Sequence, residues 1–93
     1  MLERSLVVKD EVGLHARPAA AFVREANKFS SDIRVILGEK KANAKSILDV
    51  LSLDAGQNAK IRISAEGDDA ERALDALQGL LNKSQDDAER ASS

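Results

Sequence analysis

Residues 60–65 read Lys60-Ile61-Arg62-Ile63-Ser64-Ala65, or KIRISA. Ile61, Ile63 and Ala65 alternate with Lys60, Arg62 and Ser64, a period of two that sorts apolar and polar side chains onto opposite faces of a strand. Such a strand buries one face and gives the other to water, the habit of antiparallel sheets. Ile33, Val35 and Leu37 repeat the pattern around Arg34 and Ile36. Gly38-Glu39 reads as a tight turn. Lys40 to Ala44 then reads as a second hairpin strand, its lysines keeping an edge soluble. Residues 5–9, SLVVK, give another short β-type run.

Helical periods separate these strands. Pro18, Ala19, Phe22, Val23, Ala26 and Phe29 recur at helical spacing and predict a helix over about 16–28, with Pro18 tolerated in its first turn. Phe22 and Phe29 are the only aromatic residues, and both read most simply as core. Ser46-Ile47-Leu48-Asp49 fits a capping box opening a short helix that must end before Gly56. Gly67-Asp68-Asp69 predicts the cap of a last helix with the stripe Ala70, Ala73, Leu74, Leu77, Leu80 and Leu81. The tail KSQDDAERASS has no stripe and is expected to be frayed. The order β-α-β-β-α-β-α predicts a two-layer α/β sandwich, with helices on one face of a mostly antiparallel sheet and Arg34, Lys60 and Arg62 on the wet face.

Composition narrows the function. The 93 residues make one domain, and a net charge of −2 with mixed signs does not suit a general nucleic-acid binder. Cysteine is absent, which removes disulfides and thiol-based metal or redox chemistry. No apolar run reaches membrane-spanning length. The charged start MLERSLVVKD does not read as a secretory signal. A cytoplasmic protein is expected.

Gly13-Leu14-His15-Ala16-Arg17-Pro18 holds the only histidine and the only proline. A histidine at a helix start is ordinarily exposed and inert. There is also a chemical reading. Helix N-termini disfavour protonated imidazole and favour an anion. A neutral ring nitrogen can attack an electrophile. If that electrophile is a phosphoryl group, first-turn amides and Arg17 can hold the anionic product. No multi-histidine metal pattern is possible, and no second catalytic group joins His15 by spacing. Carrying a group between partners suits such a site better than turnover by a free-standing enzyme.

GLHARPAA (13–20), KSILDVLSL (45–53) and AGQNAKIRISAEGDDAERALDAL (55–77) together resemble HPr, the histidine-containing phosphocarrier family of the phosphoenolpyruvate-dependent sugar phosphotransferase system. The resemblance spans about residues 2–83. It implies an open-faced β-sandwich, with a four-stranded antiparallel sheet of order 1-4-2-3 and three helices on one face. Residues 1–83 would form the phosphocarrier domain and 84–93 a polar tail. The resemblance further implies that His15 takes a phosphoryl group on Nδ1 from phosphorylated Enzyme I and passes it to sugar-specific IIA domains, with Arg17 neutralising its charge. The protein would be a monomeric carrier, not an enzyme, without cofactor or metal and without insertion into a membrane. The alternative is a phosphorelay or binding protein of a nitrogen-related branch, uncoupled from sugar transport.

Ser46 reads first as a helix cap, worth about 1 kcal/mol. The resemblance also makes it a regulatory phosphorylation site; in some bacterial groups a kinase/phosphorylase modifies that serine and the product binds a transcriptional regulator. Two positions depart from the family pattern. Asp49 stands where glycine is common, and its charge would oppose a phosphoserine. Val12 stands where many relatives have Asn or Ser. Ile47 and Leu48 are adjacent on a short helix and cannot both face inward, so one or both are expected to stay exposed near His15. Phe22, Arg24, Lys45, Ile47, Leu48 and Leu51 are the candidate partner-docking residues, with Arg17, Arg24 and Lys45 ringing the patch. Leu51 reads equally well as core.

Overall fold

A computed structural model describes residues 1–9, 16–56 and 58–82. The elements are β1 (Leu2–Val7), α1 (Ala16–Ala26), β2 (Asp32–Leu37), β3 (Lys40–Asn43), α2 (Ile47–Ser52), β4 (Lys60–Glu66) and α3 (Ala70–Asn82). The strands form one sheet of order β1-β4-β2-β3, antiparallel at every pairing. β4 and β2 each have partners on both sides; in β4, Ile63 lies opposite both Arg4 and Val35, and Ala65 opposite both Leu2 and Ile33.

The inner face of the sheet carries Leu6, Ile33, Val35, Ala42, Ile61, Ile63 and Ala65, all buried. Against it lie Ala19, Phe22 and Ala26 of α1, Val50 of α2, and Ala70, Ala73, Leu74, Leu77 and Leu81 of α3. Arg34, Lys60 and Arg62 stand exposed on the outer face. Ile36 and Ser64 share that outer face yet are buried. Their cross-strand neighbours are Lys41, Arg62, Arg34 and Glu3, whose aliphatic stems can cover small or apolar neighbours while the charged heads stay wet.

The element boundaries correct the sequence reading in two places. β1 is Leu2–Val7 and not 5–9. Its early charged residues belong because Arg4, on the inner face, reaches over to α3 and donates to Asp75 Oδ1 (2.6 Å) and Gln78 Oε1 (2.8 Å). Bonding continues past the strand: Val8 N–H donates to Ala59 O at 3.0 Å, and Asn58 N–H to Val8 O at 2.7 Å. α1 ends at Ala26, two residues early, because Lys28 and Phe29 N–H turn to carbonyls three residues back and tighten the exit. α2 ends at Ser52, before Gly56 as expected, and the loop after it carries positive φ at Asp54 (52°) and Asn58 (68°). Asp and Asn tolerate this left-handed region better than most side chains.

Asp69 precedes α3, where a cap was expected. Its backbone carbonyl accepts from Ala73 N–H at 2.9 Å, but its carboxylate turns to the α1–β2 loop. There it accepts from Ser30 N–H (2.8 Å), Ser31 N–H (3.0 Å), the Ser30 hydroxyl (3.3 Å) and the Ser31 hydroxyl. The Ser31 hydroxyl first, then Ser30 N–H, hold the Asp69 carboxyl down at about 2 from an ordinary 3.8; Ser31 N–H and the Ser30 hydroxyl add, and burial opposes. Gly67 makes this approach possible. A Cβ there would lie 2.8 Å from Ser31 Cα, and its φ of 150° is one that side chains avoid.

Two outcomes follow for equilibrium denaturation. Gly67→Ala should destabilise by about 1–3 kcal/mol, the usual scale of a forced backbone conformation. Asp69→Asn should be less stable than the native chain at neutral pH. A depressed carboxyl contributes stability above its unfolded value and loses it as pH falls through its folded one. The difference between the two proteins should therefore shrink between pH 3.8 and about 2.

Candidate functional site

α1 opens at Ala16, directly after His15; His15 and Val12 lie outside the described residues. Arg17 is the helix's second residue and is exposed, with Pro18 half-buried behind it. The reason is rotational. Ala19, Phe22 and Ala26 form the buried stripe, which turns Arg17 outward. Arg24, seven residues on, lies on the same outward face and is exposed too. The first turn of α1 contains no acidic residue. Its positive dipole end therefore favours an anion, and Arg17 adds a full charge.

Ser46 caps α2, its Oγ accepting from Asp49 N–H at 3.4 Å, a long bond. The reciprocal half of the expected capping box does not form. Ser46 N–H donates to Asn43 O at 3.0 Å, and the Asp49 carboxylate accepts from Asn43 N–H at 3.3 Å. Asn43 Oδ1 also accepts from Lys45 N–H at 3.0 Å. Asn43 thus organises the approach to Ser46 as an Asx turn, a role that sequence reasoning missed. Its signal was an Asn three residues before the cap.

Asn27 was missed as well. Its carboxamide donates to Val23 O (2.9 Å) and Lys45 O (3.3 Å), binding the exit of α1 to the entry of α2. No local pattern announces a bond across 18 residues.

The docking candidates divide. Leu48 is 77 % exposed and Ile47 37 %. Phe22 is 0 % exposed and so is a core residue, not a docking one: it sits on the stripe of α1 that faces the sheet. Lys45 does not stand free at the rim, because its ammonium donates to Phe29 O at 2.7 Å in the loop that follows α1. Leu51 is half-buried and packs on the core. Among the described residues no group of three His, Cys, Asp or Glu side chains could hold a metal, and no helix is long and apolar enough to cross a membrane.

Comparison with known proteins decides the family. The family model described as the PTS HPr component phosphorylation site matches residues 2–83. The chain belongs to the HPr family. It is 44 % identical to a phosphocarrier protein HPr of Mycoplasma capricolum over 81 residues, covering 87 % of this chain and 91 % of that one. It is 45 % identical over 83 residues to an HPr-like protein Crh of Halalkalibacterium halodurans, covering 89 % and 99 %. The crystal structure of an HPr from Thermoanaerobacter tengcongensis superposes with a TM-score of 0.86 at 50 % identity, over 88 % of this chain and 92 % of that one. The HPr match takes in both the GLHARP block and Ser46.

Phe22→Ala should cost about 3–5 kcal/mol in chemical denaturation, as a large core side chain does. Leu48→Ala should change stability by less than about 0.5 kcal/mol, as an exposed residue does. If the two costs were alike, the division between core and surface drawn from burial would be wrong.

Proposed function

We propose that His15 is the phosphoryl acceptor and that Arg17 stabilises the group it carries. The chain is a phosphocarrier of phosphoenolpyruvate-dependent sugar uptake, a group carrier and not an enzyme. The observation that supports the residue roles is the start of α1: an exposed Arg17 in a first turn free of acidic residues, next in chain to the sole histidine.

The chemistry suits a passing group. A neutral imidazole nitrogen attacks phosphorus, a P–N bond forms, and the bond from phosphorus to the donor breaks. The phosphoryl oxygens keep their negative charge throughout, which amides and a guanidinium can meet. Delivery reverses the step, with the acceptor's nucleophile attacking and His15 leaving. Nδ1 is the nitrogen that family resemblance implies. The donor is phosphorylated Enzyme I and the acceptors are IIA domains, docking on the face that presents Arg17, Arg24, Ile47 and Leu48. An exposed apolar pair beside cations gives such partners both area and steering. Residues 1–83 act as the carrier domain.

Ser46 serves as a second, regulatory phosphate acceptor for a kinase/phosphorylase, and the modified chain as a ligand of a transcriptional regulator. Here the Asp49 carboxylate stands against the added charge, since Asp49 N–H bonds the very oxygen that would carry it.

Phosphorus NMR with phosphoenolpyruvate and Enzyme I should show an acid-labile phosphoramidate. His15→Ala should abolish it with the fold intact by circular dichroism. Arg17→Ala should slow transfer by about 10-fold or more, the scale of a lost charge-assisted bond, with little change in stability. A phosphoramidate that survived in the His15 variant would overturn the assignment. For Ser46, phosphorylation should lower the melting temperature of the native chain, and Asp49→Asn should recover part of the loss; equal losses in both proteins would remove Asp49 from the account.

A further inference from the structure

An open groove of ≈ 570 Å³ runs beside the end of β1, with Leu6, Val7 and Ile61 in its apolar floor. Lys9, Lys60 and Arg62 rim it, all three exposed. Val7 is 39 % exposed. Among the described residues, none of α1 or α2 lines the groove. Glu3 approaches Arg62 at 3.7 Å and offsets part of its charge, which leaves the two lysines to set the sign of the rim.

The chain itself supplies a complementary segment. Asn82, the last residue of α3, lies in the groove's lining. Residues 84–93 follow, SQDDAERASS, with Asp86, Asp87 and Glu89 against a single cation, Arg90. They also lie beyond the stretch matched by the family model. At about 3.3–3.6 Å per residue, Asp86 and Asp87 reach no further than roughly 14–18 Å from Asn82. A short tether of this kind raises the effective concentration of its end to about the millimolar range. The segment has no apolar stripe, so charge is its means of attachment.

We propose that residues 84–93 fold back on the groove beside β1 and set Asp86, Asp87 and Glu89 against Lys9, Lys60 and Arg62. The tail is then an internal ligand that covers Val7 and the outer edge of the sheet.

The chain has no cysteine, so Ser92→Cys gives one position for a nitroxide label in the full-length protein. At low salt the label should broaden the amide signals of Val7, Lys60, Ile61 and Arg62 at least about twofold more than those of β3 on the opposite edge. The triple variant D86N/D87N/E89Q, carrying the same label, should lose that contrast, and high salt should do the same. Equal broadening at both edges, or a contrast indifferent to charge and salt, would overturn the proposal. Labelled chains mixed with unlabelled, isotope-enriched ones supply the other control. Broadening between molecules would mean that a second copy occupies the groove, which also overturns it.

Discussion

The double pairing of β4 is the constraint on which the rest depends. Lys60–Glu66 bonds β1 along one edge and β2 along the other. Its inward residues, Ile61, Ile63 and Ala65, are at most 1 % exposed. The strand sets the register of both β1 and β2 and supplies the middle of the sheet's inner face. A slip of one residue would turn Ile61 and Ile63 to solvent and Arg62 into the core. Everything functional stands on the layer above. α1 keeps Phe22 on that inner face, and in doing so points Arg17 and Arg24 away from it.

The fold was legible because the burial pattern of each element is nearly pure. Apolar and polar residues alternate through KIRISA, with Ser64 the one polar residue there that is buried, and the α3 stripe repeats through Leu81. β1 was misplaced because Glu3 and Arg4 look like loop residues until Arg4 finds Asp75 and Gln78, more than 70 residues away. The bonds of Asp69, Asn27 and Asn43 were hidden for a similar reason. A short polar side chain can cap its own helix or reach a neighbouring segment, and only the tertiary arrangement decides which.

The site was less evenly legible. Chemistry pointed to His15 and Arg17 from residue type and place alone, and the family match covers both. Exposure of Ile47 and Leu48 followed from their adjacency on a short helix. Phe22 and Lys45 are both drawn away from the surface, for opposite reasons. Phe22 has no polar handle to hold it at the surface and drops into the core. Lys45 carries a charge but spends it on the carbonyl of Phe29. Sequence can assign a residue to a helix face; it cannot show where a long flexible cation will find its acceptor.

The strand order also has a consequence in time. Only β2 and β3 are neighbours in both chain and sheet. β1, made first, must wait for β4, and Leu2 meets Ala65 across 63 residues. During synthesis the first strand has no partner until nearly three-quarters of the chain has emerged. Until then the nascent molecule is a hairpin with an unattached N-terminal segment, so the sheet closes in one late, long-range event. Closing so large a loop before any contact rewards it is the slow part of folding. The same strand that gives the finished sheet its register thus sets the moment at which the protein becomes a protein.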